Sequence, residues 1–140
     1  MGVLALSDPI GPPAARRPEE ALQLVSLALS DGDLEAALAQ YERGALLLPW
    51  AKEQAHPASV RDLLAGLMAW RVPLSVAVCA VLPAGDLALV LADWRISGHV
   101  AGSRQIELSG RGSALVRQQP DGAWCIVADA WRLDGSGATA

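Results

Sequence analysis

Residues 111–132 read RGSALVRQQPDGAWCIVADAWR: two apolar runs flank a Pro-Asp-Gly turn, and one carboxylate, Asp129, stands in the second run between Trp124 and Trp131. The turn fits a three-residue hairpin loop with Pro120 and Asp121 at its centre and Gly122 left-handed, which pairs Gln119 with Ala123. Counting back from that pair puts Ser113 opposite Asp129 and Arg111 opposite Trp131, on one face of the sheet. Arg111 is then diagonal to Asp129 and within reach of it. Two roles for Asp129 stay open. Held by Arg111 as a structural pair it keeps its charge and a low pKa, an anchor for the sheet. Facing a cavity, it is a candidate proton carrier. The opposite face carries Gly110, Gly112 and Ala114, small residues that let a sheet bend and let helices approach. This face is predicted to cover the helices and line a cavity with Val90, Ala92 and Trp94, leaving Arg111 and Asp129 toward a partner subunit.

Upstream, strands are predicted over about 74–82, 86–97, 104–118 and 123–132, with turns at PAGD, SGHVAGS and QPDG. Before Pro73 the spacing is helical. Ala21, Leu22, Val25, Ala28 and Leu29 recur at steps of three and four, and SDGD ends that helix. Asp33 caps a second helix with Leu34, Ala37, Leu38 and Tyr41 on its apolar face and Gly44 as a left-handed stop. ALLLP (45–49) is a short buried strand, and WAKEQAHPAS (50–59) is irregular. A third helix starts at Ser59, with Asp62 at capping-box spacing and Val60, Leu63, Leu64, Leu67 and Met68 buried. Helices first and a strand meander after them give an α+β class, with helices on one face of an antiparallel sheet.

A chain of 140 residues makes about one domain. We expect a flexible arm over 1–17, one domain over 18–132 and a flexible tail over 133–140. With 52% hydrophobic and 19% charged residues and a mean hydropathy of +0.29, the chain is greasy enough to imply a further buried face between subunits. The net charge is −4 and the arginines are scattered, so no basic footprint for nucleic acid forms. Absent Phe and abundant Ala, Leu, Gly and Arg fit a GC-rich bacterial genome. Cys79 and Cys125 read as reduced core thiols without metal-binding spacing, and no metal site is expected. MGVLALS lacks the basic flank of a signal peptide and no apolar run reaches the ~20 residues of a membrane span, so a cytoplasmic protein with no membrane contact is expected.

Three stretches together, SDGDLEAALAQYERGALLLP (30–49), AGDLALVLADWRISG (84–98) and IELSGRGSALVRQQPDGAWCIVADAW (106–131), resemble the SnoaL-like and ketosteroid isomerase-like proteins of the nuclear transport factor 2-like superfamily, over roughly residues 19–132. The resemblance implies a cone: a curved antiparallel or mixed sheet wrapped around three N-terminal helices, a cystatin-like α+β roll with a pocket at its wide end and a homodimer through the sheet. Ketosteroid isomerase works with an Asp base and an oxyanion hole of Tyr and protonated Asp. The matching positions here fall near Pro49 and Ala114, so that acid/base pair is missing.

The residues that could shape or polarise the pocket are Tyr41, Trp50, His56, Trp94, Ala114, Trp124 and Asp129. In a chain without Phe, tryptophans also serve as core filler, Tyr41 on a helical stripe is as well placed for the core, and His56 and His99 fall in solvent-facing segments. Two functions stay in view. One is a pocket protein that binds a small hydrophobic, polyketide- or steroid-like molecule. The other is a cofactor-independent isomerase, cyclase or dehydratase of bacterial secondary metabolism. Neither needs a cofactor.

Overall fold

A computed structural model describes residues 13–51, 54–55, 59–100 and 104–134, with the backbone alone at 50, 51, 54 and 55. The described residues hold three helices: α1 (Pro18–Asp31), α2 (Leu34–Leu38) and, after two strands, α3 (Val60–Ala69). The strands are β1 (Tyr41–Ala51), β2 (Gln54–Ala55), β3 (Leu74–Ala84), β4 (Leu87–His99), β5 (Gln105–Gln118) and β6 (Trp124–Leu133). They form one mixed sheet of order β2-β1-β6-β5-β4-β3, in which β1 runs parallel to β6 and every other pairing is antiparallel. The class is the expected α+β.

Helix α1 starts on Pro18, whose missing N–H costs nothing there, and ends where Gly32 turns left-handed at φ +74. Its buried stripe is Ala21, Leu22, Val25, Ala28 and Leu29, laid across β3–β6. Asp33 Oδ1 caps α2 by accepting from the Ala36 N–H at 3.0 Å, and Ser59 Oγ caps α3 by accepting from Asp62 N–H at 3.3 Å. Arg61 ties α3 to Glu35 of α2 at 2.9 Å. None of the helices among the described residues is long and apolar enough to cross a membrane.

Helix α2 is shorter than expected. Tyr41 opens β1 instead of ending a helix, because the Gln40 carbonyl accepts from Ile126 N–H at 2.7 Å and commits the backbone to β6. Gly44, expected as a helix stop, does have positive φ (+82), but within β1, at the register break between Tyr41 and Leu46. The strand covering ALLLP is therefore longer than its apolar core. Of the expected arm, residues 13–17 are docked: Ala15 is fully buried and its carbonyl accepts from Trp124 N–H at 3.0 Å.

Two bulges set which side chains face inward. In β3, Cys79 is the extra residue between Val78, paired with Ala92, and Ala80, paired with Leu91. It is exposed, not a core thiol. In β6, Val127 is the extra residue between Ile126, opposite Val116, and Ala128, opposite Leu115. The hairpin loop has the expected form, with Gln119 N–H donating to the Ala123 carbonyl at 2.7 Å, but the Val127 bulge advances everything after it by one residue. Because side chains alternate, a shift of one exchanges the faces. Asp129 and Trp131 turn inward to join Val90, Ala92 and Ala114. Asp129 pairs with Ala114, not Ser113, and Arg111 with Arg132, not Trp131.

Candidate functional site

Asp129 lies in the middle of an aliphatic row that crosses the inner face of the sheet: Val81, Val90, Ala114, Asp129, Leu47 in consecutive register. Val90, Ala114 and Leu47 are fully buried, and Asp129 is 4% exposed. An ionised carboxylate there gives up most of its hydration, so burial raises its pKa to about 6, against the opposing pull of hydrogen bonds from the Trp131 and Tyr41 side chains. Tyr41 Oη donates to Asp129 Oδ2 at 3.2 Å. Burial first, and the neighbouring carboxylate second, lift the Tyr41 hydroxyl well above its usual range, so it is a donor at any physiological pH.

The expected structural pair does not form. Arg111 is on the outer face and reaches Asp93 of β4 at 3.4 Å, with both side chains more than half exposed. The cause is the Val127 bulge, which no hydrophobic pattern announces.

Beside Asp129 is a cavity of about 30 Å³, lined by Leu22 and Val25 of α1, Leu74 and Val76 of β3, Ala92 and Trp94 of β4, Gly112 of β5, and Ile126, Asp129 and Trp131 of β6. The indoles of Trp94 and Trp131 stand at its edge, ring centres 6.0 Å apart and tilted by 36°. Trp94 Nε1 is buried without a hydrogen-bond partner. A hollow of about 560 Å³ between the ends of α1 and α3 is an open surface cleft without a buried titratable group, and one of about 630 Å³ between the start of β1 and the start of α3 is also open and has the buried Tyr41 in its lining.

Of the sequence candidates, Asp129 and Trp94 line the cavity and Tyr41 reaches it through Asp129. Ala114 is buried as the register partner of Asp129. Trp124 is buried, bridged through its backbone to Ala15, and does not line the cavity. Trp50 pairs with Ala55 and Arg132 through its backbone, its side chain being outside the described residues, as is His56. His99 is exposed at the end of β4. Gly112 lines the cavity on the face expected to do so, whereas Trp131, expected on the opposite face with Arg111, is turned inward by the register shift. Among the described residues no cluster of three or more His, Cys, Asp or Glu stands close enough to hold a metal ion.

Solved structures superpose on this arrangement. A ketosteroid isomerase-like protein from Erwinia carotovora atroseptica aligns with a TM-score of 0.64 at 17% identity, over 83% of this chain and 92% of its own. An NTF-2-like protein of unknown function from Shewanella oneidensis aligns at 0.61 and 18%, over 81% and 93%. The chain has the NTF2-like fold. A protein of unknown function with a cystatin-like fold from Nostoc punctiforme matches as well, at 0.64 and 17% identity, over 87% and 92%. At such identities the NTF2-like likeness establishes the fold alone. No protein-family model and no curated protein matches the sequence.

Proposed function

We propose that this NTF2-like protein holds a small hydrophobic, carbonyl-bearing molecule in the cone beside Asp129 and moves a proton on it, as a cofactor-independent isomerase, cyclase or dehydratase does. The observation that carries the reading is the Asp129 carboxyl: desolvated in an aliphatic row, close to half-ionised near pH 6, and oriented by Tyr41. A carboxyl with that pKa both accepts and returns a proton near neutrality, which suits general acid/base work. The ketosteroid isomerase pair is absent at Pro49 and Ala114, but Asp129 stands directly across from Ala114 and brings a carboxyl to the neighbouring strand.

The cavity of about 30 Å³ is far below the ~300–1,000 Å³ of ligand pockets, so a ligand enters only if the cone opens. The test is exchange in D2O: 2-tetralone should lose its α-protons faster with the protein than in buffer, and Asp129→Asn should remove that gain on the order of a hundredfold. Exchange at the buffer rate with ketone bound would leave a binding protein only.

The same reading includes a homodimer through the outer face of the sheet. Leu82, Leu89, Leu115, Ala128 and Leu46 form one register row across five strands, with Leu82 and Leu46 more than half exposed. The ion pairs Asp93–Arg111 and Glu42–Arg117 flank that row. An apolar centre with a charged rim is the composition of a subunit interface.

A further inference from the structure

We infer that the indole N–H of Trp94 is a binding donor for the oxygen of the ligand, lodged against Gly112 on the same cavity wall as Asp129; this rests on the proposed reading of the cone as a small-molecule site. Among the described residues, Trp94 Nε1 is the one buried side-chain nitrogen or oxygen without a partner. Buried indoles ordinarily find an acceptor, and a buried donor without one carries a desolvation penalty that folding has to offset. Here the penalty falls on a residue that lines the cavity.

The backbone of β5 is shaped to hold that ring. Gly110 and Gly112 flank it: a Cβ on Gly110 would collide with the Arg132 carbonyl oxygen and lie 2.7 Å from Trp94 Cζ2, and a Cβ on Gly112 would lie 3.8 Å from Cδ1 of both Trp94 and Trp131. Cδ1, Nε1 and Cζ2 belong to one edge of the indole. The N–H edge of Trp94 therefore runs along the Gly110–Gly112 stretch, and the space a Gly112 side chain would take is bounded by both indoles. Gly112 also lines the cavity with Asp129. The hydrocarbon walls, Leu22, Val25, Val76 and Ile126, accept an apolar body, while the polar groups among them are the Asp129 carboxyl, which already accepts from the Trp131 side chain, and the Trp94 N–H, which has no partner. A ligand that satisfies both carries an acceptor oxygen and a C–H or O–H next to it, which is the chemistry of an enolisable ketone. As negative charge develops on that oxygen, a fixed donor in a dry site strengthens its hold.

The test uses 2-tetralone and tetralin, its hydrocarbon counterpart, with the Trp94 indole ¹H–¹⁵N resonance assigned by Trp94→Phe. The ketone should move that resonance downfield to saturation, and tetralin should not. Trp94→Phe should weaken ketone binding about tenfold and leave tetralin unchanged, the scale of one hydrogen bond. Gly112→Ala keeps the indole and adds a Cβ that meets nothing nearer than 3.5 Å, so it should fold and still lower ketone affinity by a similar factor. If the ketone binds with the Trp94 resonance unmoved and both variants bind as the parent does, the donor role is wrong and the small-molecule reading stands. An indole proton that contacts water and keeps that contact at ketone saturation overturns the donor role as well, leaving a hydrated indole. If neither compound binds, the small-molecule reading falls and the donor role with it.

Discussion

Tyr41 and Asp129, 88 residues apart, meet through one hydrogen bond of 3.2 Å between the hydroxyl and Oδ2. Simple counting puts Asp129 on the outer face and Tyr41 on the apolar stripe of a helix, so it does not bring the two together. Tyr41 arrives because α2 stops at Leu38 and β1 begins, and Asp129 because Val127 bulges. Losing the hydroxyl leaves a buried carboxylate with one donor fewer. Tyr41→Phe should cost about 1–3 kcal/mol at pH 7 and less at pH 4, where the carboxyl is protonated; urea unfolding at the two pH values measures both.

Asp129 also makes stability depend on pH. The unfolded carboxyl titrates near its ordinary 3.8 and the folded one at about 6, so between these values the native state binds more protons. Stability is therefore greatest below 3.8 on this account, falls as pH rises toward 6, and is level above it. A shift of this size corresponds to about 3 kcal/mol. Asp129→Asn should abolish that part of the dependence and gain stability relative to the parent as pH rises from 4 to 7. A parent and variant with parallel pH profiles would refute the burial of a titrating acid.

Arg111 should matter little. Its pair with Asp93 is exposed, so Arg111→Ala is expected to change stability by no more than about 0.5 kcal/mol. In a double-mutant cycle with Asp129→Asn the coupling should be near zero, whereas coupling above about 0.5 kcal/mol would restore the register in which these residues share a face.

Much of the fold was legible in the residues. The stripe from Ala21 to Leu29, the caps at Asp33 and Ser59 and the turn at Pro120–Gly122 each express a local rule, and each element formed where that rule placed it. The inward set Val90, Ala92, Trp94 and Ala114 followed from alternation. What was not legible depends on non-local pairing. Nothing in CIVADAW says that Val127 will bulge, since the extra residue shows only in how β6 pairs with β5. Nor does helical spacing at Tyr41 reveal that the preceding carbonyl is claimed by Ile126. Both misreadings touch the site, and one extra residue turned Asp129 from an outer anchor into an inner acid.

Glycines 110 and 112 should differ sharply. Gly110→Ala drives a Cβ into the backbone of β6 and into Trp94, and a loss above about 3 kcal/mol is expected together with a changed near-ultraviolet dichroism from the tryptophan pair. Gly112→Ala meets only ordinary contacts and should leave both nearly unchanged. Equal effects would contradict the placement of the Trp94 ring.

The outer row of leucines is tested by mass. Sedimentation at micromolar concentration should give about twice the 14.6 kDa of one chain, and Leu82→Asp with Leu46→Asp should return a folded monomer. A parent that sediments as a monomer removes the dimer.

The central claim, that Asp129 is a desolvated acid poised to exchange protons inside the cone, is tested most directly by the ¹³Cγ chemical shift of Asp129 followed from pH 3 to 8. A midpoint of about 6, moving upward in Tyr41→Phe as a stabilising donor is lost, is the expected result. A midpoint at or below the ordinary 3.8, unmoved by Tyr41→Phe, would contradict it.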